Sequence, residues 1–356
     1  MHAGGDAEVD GCPATTIGFD DTDMPWKTGK LLIRKLTAHF IILETIGRDL
    51  KMFRSARELV SSMADAMEAH QLAYDELHIL HRDISAGNIL ISTDKPDRGI
   101  LIDWDHCIFM DNLTEDRKTR VHRTGTWQFM SAHLTANPES ACHGLVDDRE
   151  SALHVLLYMG IRHLAHNKAN AFEMRDLLNM FDDYIEVDGN PYRKGTMSKL
   201  NFMASGAQDL IFNVKPINRL IRALCGSFST RYEQDSEDTE DDEDAEDQDL
   251  TISTLRAAQR QSRLENMKKP EWLYEVFRRY AVRLPMLSPG ELDYIDNTKV
   301  LKPNRKRPLV DDLCDDADDS KLISTHDGIA GSIDAGIDLA PPVETPPRKK
   351  QRTGKK

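Results

Sequence analysis

Three oxygen-bearing side chains, Asp83, Asn88 and Asp103, are spaced so that a single fold-back of the chain would bring them together. Asp83 and Asn88 belong to the stretch HRDISAGNILIS at 81–92, and Asp103 sits in GILIDWD at 99–105. Two apolar runs, Ile89–Ile91 and Ile100–Ile102, flank the turn-forming residues 93–99, which predicts a β-hairpin with an acidic group at each mouth. Carboxylates with a carboxamide are the hard oxygen ligands that Mg²⁺ with bound phosphates prefers. The chemistry this spacing suits is therefore the handling of phosphoryl groups.

Those side chains need elements to hold them. Ser55–Leu77 has the clearest helical spacing, with Ser55 as cap, Glu58 as its capping-box partner, and Leu59, Met63, Ala66, Met67 and Leu72 on one apolar stripe. It leads directly into His81. Ahead of it, His39–Leu43 reads as a buried strand in an apolar stretch that Gly47 ends, and residues 1–30, rich in Gly, Asp, Thr and Pro, read as a loose lead-in. Downstream, helix is expected from near Asp148, with Leu153, Leu156, Leu157 and Ile161 on the core face. Further helices are expected over Ala171–Tyr184, Pro216–Phe228 and Leu250–Tyr280, with Asp188–Pro191 as a turn. Glu233–Asp249 holds twelve acidic residues and no basic ones, which predicts a disordered insertion within the domain.

With 356 residues and 40% hydrophobic content the chain can build one large core or two smaller ones. Its net charge of −14 reflects the acidic run, so no acidic folded face is implied. Cys12, Cys107, Cys142, Cys225 and Cys314 lie far apart, which argues against a disulfide framework or zinc site and fits a reducing compartment. The opening MHAGGDAEVDG has no basic or apolar signal region, and no apolar stretch approaches bilayer length. A soluble, intracellular protein without a membrane partner is expected.

HRDISAGNILI, LIDWD, RTGTWQFMSA and VDDRESALHVLLY, in this order and spacing, resemble the fungal-type protein kinase family. The resemblance covers roughly residues 31–228 and, more weakly, the helix around Trp272. It implies an α+β, protein kinase-like fold with a mainly helical large lobe, and ATP and Mg²⁺ as cofactors. Asp83 would accept or orient the proton of the attacking hydroxyl, while Asn88 and Asp103 would hold Mg²⁺ and, through it, ATP. Arg82 would clamp a phosphorylated or acidic residue of the downstream segment, which contains Thr114, Thr119 and Thr124. Thr126 matches the threonine that bonds the catalytic aspartate, favouring Ser or Thr of a protein substrate. Ser85 stands where serine/threonine kinases carry a lysine, and Ala86 and Gly87 supply no tyrosine-kinase arginine. His81 is expected to pack in the core, Trp104 takes the Phe position of D-F-G, and Asp148 is implied to bond the catalytic-loop backbone from a helix N-terminus. His133 replaces the Glu of A-P-E, so the ion pair that anchors that end is expected to be missing.

No G-x-G-x-x-G precedes the hinge expected at Glu44–Asp49, and Lys27, Lys30 and Lys35 lie in no V-A-I-K-like strand. The small lobe is therefore expected to be truncated. The implied organisation is a disordered lead-in at 1–30, a small-lobe remnant and hinge at 31–50 and the large lobe at 51–232. An acidic run at 233–249, a helical completion at 250–297 and a disordered basic tail at 298–356 follow. Two functions compete: ATP-dependent phosphorylation of Ser or Thr in a protein, and a pseudokinase scaffold without competent ATP binding. A small-molecule phosphotransferase is disfavoured by Gly125-Thr126 and the D-D-x-E-S element. His154, His163 and His166 lack a nearby Cys or acid in metal-ligand spacing and read as core or surface histidines. KPNRKR at 302–307 and RKKQRTGKK at 348–356 resemble nuclear import signals, implying an import receptor as partner and a nuclear or nucleocytoplasmic location. Neither cluster carries the aromatic residues that direct nucleic-acid binding would use.

Overall fold

The first residues, read from sequence as a loose lead-in, carry strands. The computed structural model describes residues 3–9, 12–15, 37, 39–42, 46–95, 97–110, 125–168, 170–187, 193–233, 247–288 and 290–301. Strand β1 (Ala3–Asp6) pairs antiparallel with β4 (His39–Ile42), Ala3 opposite Ile42, and the short β2 (Glu8–Val9) and β3 (Cys12–Pro13) pair with each other. Pairing between distant segments satisfies backbone groups without leaving a local period to read. Gly47 opens a strand, β5 (Gly47–Asp49), beyond the apolar stretch it was expected to end. A Cβ at Gly47 would stand 2.7 Å from Leu90 Cβ, so glycine permits this close approach.

Helix α1 (Ala56–Leu77) is the element against which the candidate site is built. Ser55 caps it by accepting the Glu58 N–H at 3.0 Å. Glu58 reaches one residue further back than a capping box requires, accepting from Arg54 N–H at 2.7 Å and from the Arg54 and Arg48 guanidinium groups. Leu59, Met63, Ala66 and Met67 are buried, but Leu72 is 56% exposed; His70 and Gln71 take the buried positions in that turn.

Strands β6 (Ile79–Leu80) and β9 (Ile108–Phe109) pair around the hairpin formed by β7 (Ile89–Ser92) and β8 (Gly99–Leu101), with Ile89 opposite Leu101 and β5 on the outer edge of β7. The hairpin is pressed onto α1. A Cβ on Gly99 would meet the Ser62 carbonyl oxygen at 2.0 Å, and the Gly99 N–H donates to Asp65 at 3.0 Å.

The helical part follows. The short α2 (Ala132–Ala136) is capped by Ser131, and α3 (Leu145–His163) begins three residues before Asp148 and runs through the core with Leu153, Leu156, Leu157 and Ile161 fully buried. Next come α4 (Ala171–Asp182), the antiparallel pair β10 (Tyr184–Glu186) and β11 (Arg193–Gly195), α5 (Ser198–Ala204) and α6 (Lys215–Ser229). The single helix expected over Leu250–Tyr280 is two, α7 (Asp247–Lys268) and α8 (Trp272–Ala281), because Pro270 cannot continue α7. Arg149 secures the break by donating to the carbonyls of Met267 and Pro270. Helix α7 begins at Asp247, inside the run expected to be disordered; residues 234–246 of that run, the 188–191 turn, Thr114, Thr119, Thr124 and both basic clusters lie outside the described residues. Among the described residues no helix is long and apolar enough to cross a membrane.

Candidate active site

The loop between β6 and β7 is held by side chains whose partners come from every side. His81 is fully buried; its Nε2 bonds the Ile102 carbonyl at 3.0 Å and its Nδ1 accepts the Asp83 N–H at 3.2 Å. That pattern is met by the neutral tautomer protonated on Nε2, and burial pushes the His81 pKa down, favouring the neutral ring. Trp104 packs edge-on against it at 4.6 Å between ring centroids. Arg82 adopts φ 72°, a left-handed conformation unusual for a residue with a Cβ.

Asp83 is fixed by a residue far along the chain. Thr126 donates both its N–H, at 2.8 Å, and its hydroxyl, at 2.9 Å, to Asp83 Oδ1. The approach depends on Gly125, which takes φ 115° and whose Cβ, if present, would lie 2.7 Å from the Arg82 carbonyl oxygen. With Oδ1 engaged, Oδ2 is the oxygen left for an incoming group.

The hairpin brings the other two oxygen-bearing groups to the same end. Asn88 donates its side-chain amide N–H to the Asp83 main-chain carbonyl at 2.9 Å, and the Asn88 main-chain carbonyl accepts the Ile102 N–H at 2.9 Å. Asp103 follows immediately, exposed and at φ 63°, a second left-handed residue at the site. Among the described residues no three His, Cys, Asp or Glu side chains form a metal-holding group, so a cation at this mouth would draw on Asn88, Asp103 and ligand oxygens.

Beneath the loop lies a buried carboxylate. Asp148, in the first turn of α3, accepts the Arg82 N–H at 3.0 Å, His70 Nε2 of α1 at 2.8 Å and His143 Nε2 at 2.7 Å. Burial alone would raise its pKa, but the two histidines outweigh it and hold Asp148 well below the usual carboxylate range.

The anchoring ion pair, expected to be missing because of His133, is present on other residues. Arg231 pairs with Glu150 at 2.7 Å and Asp147 at 3.0 Å, both on α3. Glu150 also accepts the Ala132 N–H at 2.8 Å and the Tyr232 hydroxyl at 2.7 Å, while the His133 N–H donates to Tyr232 at 2.9 Å. Burial opposes ionisation of Glu150, yet these partners with His154 and the Arg231 charge lower its pKa to about 2. The carboxylates that anchor this end belong to α3.

The family model described as fungal protein kinase matches residues 11–160. Over this segment the chain is similar to the fungal protein kinase family. No curated protein matches the chain. The matched segment contains His81, Asp83, Asn88, Asp103, Thr126 and Asp148, and the match ends inside α3. Of the residues singled out from sequence, Asp83 and Thr126 touch, and Asn88 is bonded to the Asp83 main chain. Arg82 and Ser85 are buried; the Arg82 N–H donates to Asp148 and the Ser85 carbonyl accepts the Asn88 N–H at 3.1 Å, while the downstream segment expected to meet the Arg82 side chain lies outside the described residues. Sequence reading missed His70, His143, Glu150 as an anchor, Arg231 and Lys199. All but His143, which meets Asp148 five residues on, have partners tens of residues away, as with His70 and Asp148, 78 residues apart, so no local spacing marks them.

Proposed function

We propose that this chain transfers the γ-phosphoryl group of ATP, with Mg²⁺, to serine or threonine hydroxyls of a protein. The observation that supports it most is the pair of hydrogen bonds from Thr126 to one oxygen of Asp83. They orient the carboxylate so that Oδ2 can position an acceptor hydroxyl and take its proton. A hydroxyl-bearing residue at 126, beside the acceptor position, is the basis for Ser or Thr as substrate.

Asn88 and Asp103 fit the metal. The Asn88 amide nitrogen is spent on the Asp83 carbonyl, which leaves its amide oxygen for a cation, and Asp103 presents an exposed carboxylate beside it. Both are hard oxygen donors. When bound, Mg²⁺ would neutralise phosphate charge, which matters here because Ser85 supplies no cation. The chain's own residues then have two tasks, holding Asn88 at the hairpin mouth and aligning Asp83 with the acceptor.

The absence of a cation at Ser85 also favours a second reading, a pseudokinase scaffold that presents its surface to partners. Radiolabel transfer from Mg-ATP to a serine and threonine peptide array, compared between the chain and D83A, separates the two. Labelling by the wild type and not by D83A supports transfer; equal labelling sinks it. A Mg-ATP thermal titration reports binding independently, since a ligand at a hundred times its Kd stabilises by ~2.7 kcal/mol. Neither labelling nor a shift would leave the scaffold reading. Nuclear import through 302–307 and 348–356 is proposed from their basic composition. An unchanged cellular distribution after neutralising both clusters would remove that proposal.

A further inference from the structure

We propose that Lys199 is a positioning residue for the acceptor side of this site: from inside the core its amino group ties down the Trp127–Met130 turn and so keeps Thr126 on Asp83. The inference rests on the kinase reading for what the turn positions, and on geometry for the tie itself. Lys199 lies on α5 and is 5% exposed. Its Nζ donates to the Met130 carbonyl at 2.7 Å and reaches the Trp127 carbonyl at 3.4 Å. That turn folds back on Thr126, whose carbonyl accepts the Phe129 N–H at 2.9 Å and the Met130 N–H at 3.2 Å. Thr126 in turn holds Asp83 Oδ1 through two hydrogen bonds. An unbroken series of bonds thus links α5 to the carboxylate proposed to receive the acceptor proton.

An amino group in this position is costly. Burial pushes the Lys199 pKa down to about 7, although the charges of Glu150 and Asp182 oppose the shift. Among the described residues Lys199 forms no salt bridge, and Glu150 is engaged by Arg231, Tyr232 and the Ala132 N–H. A methionine would fill similar space without the desolvation cost. What lysine adds over methionine is donors for two main-chain carbonyls of the turn. The cost is therefore borne for placement of the turn, and placement is what Thr126 needs.

The test uses the full chain carrying K199M, K199R or D83A. Amide hydrogen exchange is read at Thr126, Phe129 and Met130 beside the urea unfolding midpoint, and transfer from radiolabelled Mg-ATP is read on a serine and threonine peptide. K199M should exchange about tenfold faster or more at the three amides, as loss of a charge-assisted bond implies, while the midpoint stays level or rises. In transfer, K199M should raise KM for the peptide and lower kcat with KM for ATP unchanged, because Asn88 and Asp103 hang from the hairpin. K199R, which keeps donors, should recover part of both effects. Unchanged exchange in K199M overturns the proposal. So does a midpoint that falls with exchange rising throughout the chain, or a failure to fold, either of which makes Lys199 a packing residue. If D83A transfers as well as wild type, the kinase reading fails, and the exchange comparison still decides the role of Lys199.

Discussion

Replacing Asp148 with alanine should cost about 4 kcal/mol of folding stability, within the range expected when one partner of a buried charged pair is removed. The figure follows from what the side chain holds. Asp148 is fully buried and accepts three N–H groups, from His70, His143 and the Arg82 backbone. Each donor left buried and unpaired costs about 1–3 kcal/mol. Part of this is recoverable, because the histidine rings can change tautomer, but the Arg82 N–H has no such escape. Asn at 148 keeps the volume and one acceptor, so D148N should lose about half as much. Transfer activity should fall in both variants, since Arg82 would relax from its left-handed backbone conformation and carry Asp83 with it.

The pH dependence supplies an independent check. The folded pKa of Asp148 lies below the unfolded value of 3.8, so its stabilisation is fully present above that value and is lost as pH falls through the folded pKa. Urea unfolding followed by tryptophan fluorescence should show a constant gap between wild type and D148N from about pH 5 to pH 7, narrowing below about pH 4. A loss under about 1 kcal/mol for D148A, or a gap that widens on acidification, would refute the account of Asp148 as a charged clamp.

Other substitutions probe the supports of the site separately. G99A drives a methyl group into the Ser62 carbonyl and should destabilise by about 2–3 kcal/mol or more in urea melts, with the hairpin shifted off α1. S55A removes the α1 cap and should cost about 1 kcal/mol by the same measurement. R231M leaves the Glu150 and Asp147 carboxylates without their cation and should cost about 3–5 kcal/mol, with faster amide exchange at Ala132 and His133. T126V deletes one of the two bonds to Asp83; kcat should fall about tenfold with little change in the urea midpoint, and a variant with full kcat would detach Thr126 from the chemistry.

Much of the scaffold around the site was legible in one dimension. Alternating turn and apolar signals located the hairpin, a Ser55 cap located the start of α1, and the spacing of Leu153, Leu156, Leu157 and Ile161 identified the buried face of α3. Where the reading failed, the deciding contact was distant. Leu72 leaves the apolar stripe of α1, since about 100° per residue turns it to the face opposite Met63, and the buried place in that turn goes to His70, which reaches Asp148. Glu58 has capping-box spacing, yet arginines at 48 and 54 draw its carboxylate past Ser55. The strands of the lead-in have no period of their own, and the anchor lost at His133 returns on Glu150 of another helix.

The sequence by itself determined which residues bear oxygens, where the chain turns and which helix faces are apolar, because these depend on neighbours a few positions away. Only the tertiary structure decided which buried polar groups meet. A carboxylate or amino group taken out of water must find its partners wherever packing has placed them, so the pairing of Asp148 with two histidines and of Lys199 with a turn belongs to the assembled core alone.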